Sequence, residues 1–94
     1  MSIYYYQIKI YLQNCHSLKE KRSVLKSFKS KLQKKFNISI AEIGYQEIWQ
    51  TSLIGIVWLS EDSRLGNSVL NAINKYMDDY FPNIIVEDEL FERR

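Results

Sequence analysis

The sequence predicts an α/β fold of the α+β type, in which a four-stranded antiparallel sheet carries two helices on one face. Stretches that alternate between apolar and polar residues predict strands, and two stretches with apolar residues at a period of about 100° per residue predict helices. Along the chain these stretches follow one another as strand, helix, strand, strand, helix, strand. With 94 residues and 46% hydrophobic content, we expect a single domain over residues 1–94 with one core.

The first strand and the first helix have clear local signals. Residues 3–12 alternate, so a half-buried strand is expected there. Ser17 and Glu20 then form a capping box, in which the serine oxygen accepts from an early helical amide and the glutamate reaches back. The helix that starts here has a single apolar stripe and should stop near Asn37. Lys21 falls at this stripe, where we expect its stem to line the core edge and its ammonium group to reach solvent.

A hairpin is predicted after this helix. Residues 38–45 alternate, whereas residues 51–60 are apolar on both sides, which is typical of a strand in the centre of a sheet. Trp49 lies in the connection between these two strands, and we expect it to close over the end of the core; the alternative is a partner contact.

The last two elements are predicted to be a helix and an edge strand. Ser60, with acidic residues at 61 and 62, is expected to cap the second helix, which Pro82 ends. Residues 84–91 are more polar and acidic than the other predicted strands, which is typical of a strand at the edge of a sheet.

The order βαββαβ is that of ferredoxin-like domains, in which two βαβ units are interleaved. Right-handed crossovers bring the first and third strands to the centre of the sheet and put both helices on one face. The other face of the sheet is then uncovered, and Tyr5 and Tyr11 are expected to lie on it.

The sequence leaves two interpretations of this uncovered face, an RNA-stacking surface or a protein interface. The stretch "IYLQNC", residues 10–15, resembles the first of the two strand motifs with which RNA-recognition-motif domains stack bases. In "SLIGIVWL", however, Ile54, Ile56 and Leu59 stand where the ring-stacking aromatic residues belong. An apolar, tyrosine-rich face is more typical of a homodimer interface or a partner surface, so we take the two tyrosines as candidate dimer or partner contacts.

Positive charge is concentrated in the first third of the chain. Residues 1–35 carry nine basic and one acidic side chain, whereas residues 36–94 carry four basic and ten acidic ones. Four cations line one flank of the first helix over roughly 15 Å, comparable with a few phosphate spacings of a nucleic acid strand. These candidate nucleic-acid contacts are Lys19, Arg22, Lys26 and Lys29. The alternative is that this flank is an ordinary solvated helix face.

His16 lies immediately before the first helix and is a candidate anion contact, because free amides at a helix N-terminus favour negative groups. The alternative is a loop histidine that makes a local hydrogen bond. Cys15 is adjacent, but the pair lacks the third orienting group and the oxyanion donors that a thiol nucleophile needs. We therefore expect no catalytic residue and no enzymatic activity.

The composition also bears on cofactors and location. One cysteine and one histidine are too few for a metal site of the usual kind, and no cofactor is expected. A lone cysteine cannot form an intrachain disulfide, which favours a cytoplasmic location. The longest apolar run, "LIGIVWL", is far shorter than the ~20 residues of a spanning helix, and the N-terminus lacks the features of a signal peptide, so no membrane association is expected.

The stretch from His16 to Ser60, with "HSLKEKR" and "FNISIAE" as its most distinctive parts, resembles the YlxP-like family of small bacterial proteins of unknown function. The resemblance implies a ferredoxin-like fold and a gene that lies beside translation-initiation and ribosome-maturation genes. It implies no activity, cofactor or catalytic residue. Together with the basic helix, it predicts a non-enzymatic RNA-binding accessory of ribosome maturation or translation, with RNA or a ribosomal particle as its partner. The alternative is a homodimeric protein-interaction module without a nucleic acid ligand.

Overall fold

The computed structural model describes residues 1–94 and contains six elements of secondary structure. In chain order they are β1 (Ser2–Leu12), α1 (Leu18–Lys35), β2 (Ser39–Gly44), β3 (Thr51–Ser60), α2 (Gly66–Tyr80) and β4 (Ile84–Arg93). This is the predicted order of strands and helices, and it is confirmed. Neither helix combines the length and the apolar character that crossing a membrane requires.

The four strands form one antiparallel sheet in the order β2-β3-β1-β4. The central strands are therefore β1 and β3, as the crossover rule predicts. In the middle of the sheet Tyr6 lies opposite Ile56 on one side and Phe91 on the other. The ferredoxin-like arrangement is confirmed.

The core lies between the sheet and the two helices. Even-numbered residues of β1 are buried and odd-numbered ones are partly or largely exposed, so the predicted alternation is confirmed. The same cluster includes Phe28 and Leu32 from α1 and Ile73 and Met77 from α2, which shows that both helices cover this face.

An aromatic group closes the core near the start of β1. The Tyr4 ring stacks on Trp58 at 5.7 Å and on Phe91 at 5.8 Å between ring centroids. Trp58 is 3% exposed, and its buried indole N–H has no hydrogen-bond partner. Aromatic packing therefore holds this ring in place.

Strand β3 corrects one expectation. Ile54 and Ile56 are buried under the helices, whereas Val57 and Leu59 are exposed on the other face of the sheet. Ile54 and Ile56 therefore do not stand where stacking aromatic residues would lie, although Leu59 does. The strand is apolar on both sides, so its sequence alone does not show which side faces the core.

The start of α2 also differs from the prediction. Ser60 is the last residue of β3, and its hydroxyl donates to the carbonyl of Asp62 instead of capping a helix. The helix begins at Gly66, after Leu65, whose side chain makes no capping bond. A Cβ at position 66 would fall within the Tyr4 ring, so this close approach of α2 to β1 requires glycine.

Candidate functional site

The N-terminus of α1 is built by the predicted capping box. The Ser17 hydroxyl accepts from the backbone N–H of Glu20 at 3.1 Å, and the Glu20 carboxylate accepts from the backbone N–H of His16 at 2.7 Å. The capping box is therefore confirmed. An acidic group of the chain itself therefore lies at this helix N-terminus, where an external anion would bind. An anion contact by the His16 side chain stays a prediction.

The basic stripe, which we define as Lys19, Arg22, Lys26 and Lys29, lies on the surface of α1. Three of these side chains are exposed and Lys29 is half-buried. The four ion pairs of the protein use other cations, namely Lys21, Arg64, Lys75 and Arg94. The positive charge of the basic stripe is therefore not cancelled by direct ion pairing.

The basic stripe faces away from α2. Ser23 and Ser27, on the other flank of α1, line a groove together with Tyr80 and Phe81 at the end of α2. By helical phase, the cations of the stripe fall on the flank opposite that groove. The basic stripe and this groove therefore lie on different flanks of α1, although the groove flank also carries a cation, Lys31, whose ammonium nitrogen lies 5.6 Å from the Phe81 ring centroid.

Lys21 does not reach solvent, so that prediction is wrong. The side chain is 2% exposed, and its ammonium nitrogen lies 2.8 Å from Glu42 Oε2. It also donates, over 2.6, 2.6 and 2.7 Å, to the carbonyl oxygens of Tyr45, Ile48 and Thr51. A buried ammonium group is tolerated when partners of this kind replace its water.

Lys21 holds the 45–50 loop, which connects β2 to β3, against α1. Glu42 is fixed in turn because Ser52 Oγ donates to its carboxylate at 2.6 Å. Tyr45 has a φ of 58°, in the left-handed region that bulky residues seldom occupy. The hydrogen bond from Lys21 to the Tyr45 carbonyl helps to offset the cost of this conformation.

Trp49 is at the surface of this loop, not over the end of the core as expected. Its side chain is 38% exposed, and its ring centroid lies 6.2 Å from that of the exposed His16. The two rings are tilted by 45° relative to each other, so they are not stacked. We call His16 and Trp49 the aromatic corner. Sequence reasoning missed this pair because the contact joins residues on two different loops.

The open face of the sheet, the one without helices, combines many apolar side chains with a few polar and charged ones, among them Gln7, Lys9 and Asp88. Tyr5 and Tyr11 are half-buried on it, as the alternation of β1 predicts. Around them, strand parity and register place exposed apolar side chains from all four strands: Ile3, Ile43, Val57, Leu59, Ile85 and Leu90. Uncovered apolar surface of this kind is typical of interaction sites.

The tyrosines of the open face also make polar contacts. The Tyr5 hydroxyl donates to Gln7 at 2.6 Å, and the Arg94 guanidinium lies 5.4 Å from the Tyr5 ring centroid. The Tyr11 hydroxyl accepts from the side-chain amide of Gln50 at 3.3 Å. Both rings are therefore held in place before any partner binds.

A groove of about 380 Å³ lies between α1, the β1–α1 loop and the end of α2. The residues that line this groove are uncharged. Cys15 at its wall is 2% exposed, and its thiol donates a hydrogen bond to the Ser17 carbonyl. No three His, Cys, Asp or Glu side chains come together in a way that would hold a metal ion.

Two acidic side chains with a shifted pKa, Tyr6 and Asp62, lie outside the basic stripe. Burial raises the pKa of Tyr6 well above its usual range, and the hydrogen bond to Glu89 and the charge of that carboxylate act in the same direction. The hydrogen bonds from Arg64 lower the pKa of Asp62, and the bond raises the pKa of Arg64 in turn. Neither Tyr6 nor Asp62 belongs to the basic stripe or the aromatic corner, so we attribute both pKa shifts to contacts that stabilise the fold.

Comparison with known proteins gives a consistent result. Residues 3–89 match a family described as "Protein of unknown function (DUF503)". The protein named "Uncharacterized protein YlxP" from Bacillus subtilis (strain 168) is 44% identical over 68 residues, which covers 72% of this chain and 73% of that protein. A solved structure titled "De novo designed protein Foldit4" covers 98% of this chain and 96% of its own, with a TM-score of 0.54 and 11% identity. This last likeness concerns the fold alone.

Proposed function

Because the chain belongs to the DUF503 family of proteins of unknown function, we propose a function from the chain's own surface. The 44% identity to YlxP also confirms the resemblance noted in the sequence. We propose a non-enzymatic RNA-binding protein that contacts the phosphate backbone through the basic stripe. Its role in ribosome maturation or translation is proposed from the gene neighbourhood that the resemblance implies.

The observation that carries this proposal is the set of unpaired cations on one flank of α1. Glu20 caps the helix and Lys21 holds a loop, so these charged residues are explained by the fold. Folding does not require Lys19, Arg22 and Lys26, because all three are exposed and make no ion pair. A row of such cations roughly 15 Å long suits the phosphates of an RNA strand.

Charge reversal tests the proposal. We expect the wild-type protein to bind labelled fragments of single-stranded ribosomal RNA in fluorescence anisotropy, with an affinity that falls steeply as salt is raised. The log–log slope should grow by about 0.7 for each phosphate neutralised on a single strand. The double variant Lys19→Glu/Lys26→Glu should lose this binding while circular dichroism still shows a folded protein.

The matched control is Arg64→Glu/Lys75→Glu, which changes the net charge equally at two exposed positions outside α1. We expect this control to bind RNA nearly as well as the wild type, because net charge alone does not create the site. Retained binding by the folded Lys19→Glu/Lys26→Glu variant would contradict the proposal.

The open face supports a second candidate function, a homodimeric protein-interaction module. The observation in its favour is the group of exposed apolar side chains, with Leu59 as the most exposed of those on this face at 63%. A soluble protein seldom leaves such side chains grouped on one face without a partner. Under this alternative, Tyr5 and Tyr11 lie in the contact and the basic stripe has no ligand.

A further inference from the structure

We propose that the aromatic corner, His16 and Trp49, is a stacking platform for unpaired bases of single-stranded RNA. This inference rests on the proposed function and deepens it. The basic stripe binds phosphate in any sequence or structure, whereas an aromatic platform adds a preference for strands whose bases are splayed out.

The exposure of the rings is the first observation. Trp49 is 38% exposed, whereas the other tryptophan, Trp58, is 3% exposed and stacked in the core. The His16 ring lies beside Trp49 with a tilt of 45°, so the two rings are not stacked on each other. Bases stack on accessible aromatic rings with little regard to sequence, because every base has a π-face.

The position of the rings is the second observation. His16 lies one residue before the cap of α1, so the corner is at the N-terminal end of this helix, where the basic stripe begins with Lys19. Trp49 follows Ile48, whose carbonyl accepts from the Lys21 ammonium group at 2.6 Å. An RNA strand whose phosphates lie along the basic stripe therefore has one end at the aromatic corner, where its bases meet the two rings.

The third observation is that the platform is held in place before any ligand binds. The ammonium group of Lys21 ties the 45–50 loop to α1 through the carbonyls of Tyr45 and Ile48, and Glu20 holds the backbone of His16. Little conformational freedom is then lost when a base stacks, which favours affinity. Double-stranded RNA keeps its bases stacked inside the helix and offers none to these rings.

Salt dependence separates stacking from phosphate contact. We expect Trp49→Ala to lower the affinity for a labelled single-stranded RNA oligonucleotide by roughly 5- to 150-fold, the range of one lost stacking contact, with an unchanged salt slope. Trp49→Phe, which keeps a ring, should retain most of the affinity. Inorganic polyphosphate, which has charge but no bases, should bind wild type and Trp49→Ala equally.

Tryptophan emission gives a readout that needs no destabilising change. Single-stranded RNA should quench part of the wild-type emission, because Trp49 is accessible. The Trp49→Phe protein keeps only the buried Trp58 and should show no quenching. Duplex RNA should bind the wild-type protein through its phosphates without quenching the tryptophan emission.

The outcomes separate this inference from the proposed function. If Trp49→Ala binds single-stranded RNA like the wild type and the wild type shows no quenching, the stacking platform is wrong while RNA binding through the basic stripe stands. If the wild type binds no RNA even at low salt, both proposals fall, and the exposed rings are then better explained as a protein contact.

Discussion

The ammonium group of Lys21 lies in a site that is 2% exposed, where water does not solvate it. Three backbone carbonyls and the carboxylate of Glu42 replace that water at 2.6 to 2.8 Å. A buried ion pair is weak evidence for stability when compared with a well-packed apolar pair. The contacts of Lys21 do, however, favour one conformation of the 45–50 loop, because they hold the Tyr45 and Ile48 carbonyls against α1.

Replacement of Lys21 by Met tests this role. We expect a loss of about 3 kcal/mol or more in the free energy of unfolding, because Glu42 and the loop carbonyls lose their partner in a poorly solvated place. Urea denaturation measures the loss. The control Lys26→Met removes an exposed charge from the same helix and should change stability by less than about 0.5 kcal/mol. Equal effects of the two changes would show that Lys21 is not a structural anchor.

Tyr6, like Lys21, is a polar residue whose properties depend on its burial. Its side chain is 1% exposed, and its hydroxyl donates to Glu89 at 2.8 Å and lies 2.9 Å from the side-chain amide of Asn74. Burial, with help from Glu89, raises the pKa of Tyr6. The folded state therefore keeps the phenol proton at a pH where the unfolded state has lost it.

The expected pH dependence follows from the sign of this shift. The stabilisation is fully present below the unfolded pKa of about 10 and is lost as the pH rises above it, with a slope of up to about 1.4 kcal/mol per pH unit. Urea denaturation at several values between about pH 8 and about pH 11 should show a shallower decline for Tyr6→Phe than for the wild type. Parallel declines would contradict the raised pKa, since all other tyrosines and lysines are common to both proteins.

At the scale of elements, α2 shows how packing overrides local capping. The Ser60 hydroxyl and the carboxylate of Asp62 are both used within the turn before the helix. The helix starts instead at the buried Gly66, whose backbone lies against the Tyr4 ring. Contact with β1 therefore sets the start of α2.

Gly66→Ala tests this conclusion. Alanine is favoured over glycine in a helix by up to about 1 kcal/mol, but here its Cβ would overlap the Tyr4 ring. We expect a net loss of about 1–3 kcal/mol in the free energy of unfolding, the usual cost of overpacking. The exposed Asn71→Ala in the same helix should be neutral or stabilising. A stabilised Gly66→Ala protein would show that the contact is loose.

At the scale of the whole molecule, two helices cover only one face of the sheet. The basic stripe therefore lies on the outer side of α1, and the apolar open face lies on the opposite side of the sheet. The two surfaces do not overlap, so RNA binding and self-association are compatible in one molecule. They are also separable by mutation.

Leu59→Glu tests self-association through the open face. Leu59 is 63% exposed, so the change should leave the monomer folded while it places a charge in the proposed interface. Sedimentation velocity should show a concentration-dependent dimer for the wild type and a monomer for the variant. Leu65→Glu is the control, because this 53% exposed residue precedes α2 and lies off the sheet. A wild-type monomer at all concentrations would contradict the dimer.

Sequence alone determined the features that depend on neighbours along the chain. The alternation in β1, the capping box at Ser17 and Glu20, and the order of the six elements are local patterns, and together they were sufficient to predict the ferredoxin-like fold. They also located the cations of the basic stripe, because helical phase depends only on spacing along the helix.

Only the tertiary structure decided the features that depend on distant partners. β3 is apolar on both sides, so pairing with β1 and the position of the helices decided which side is buried. Lys21 is buried because carbonyls 24 to 30 residues away converge on it. The start of α2 depends on Tyr4, and the aromatic corner depends on two loops that meet. Such contacts leave no periodic trace in the sequence, because they join segments whose spacing along the chain is arbitrary.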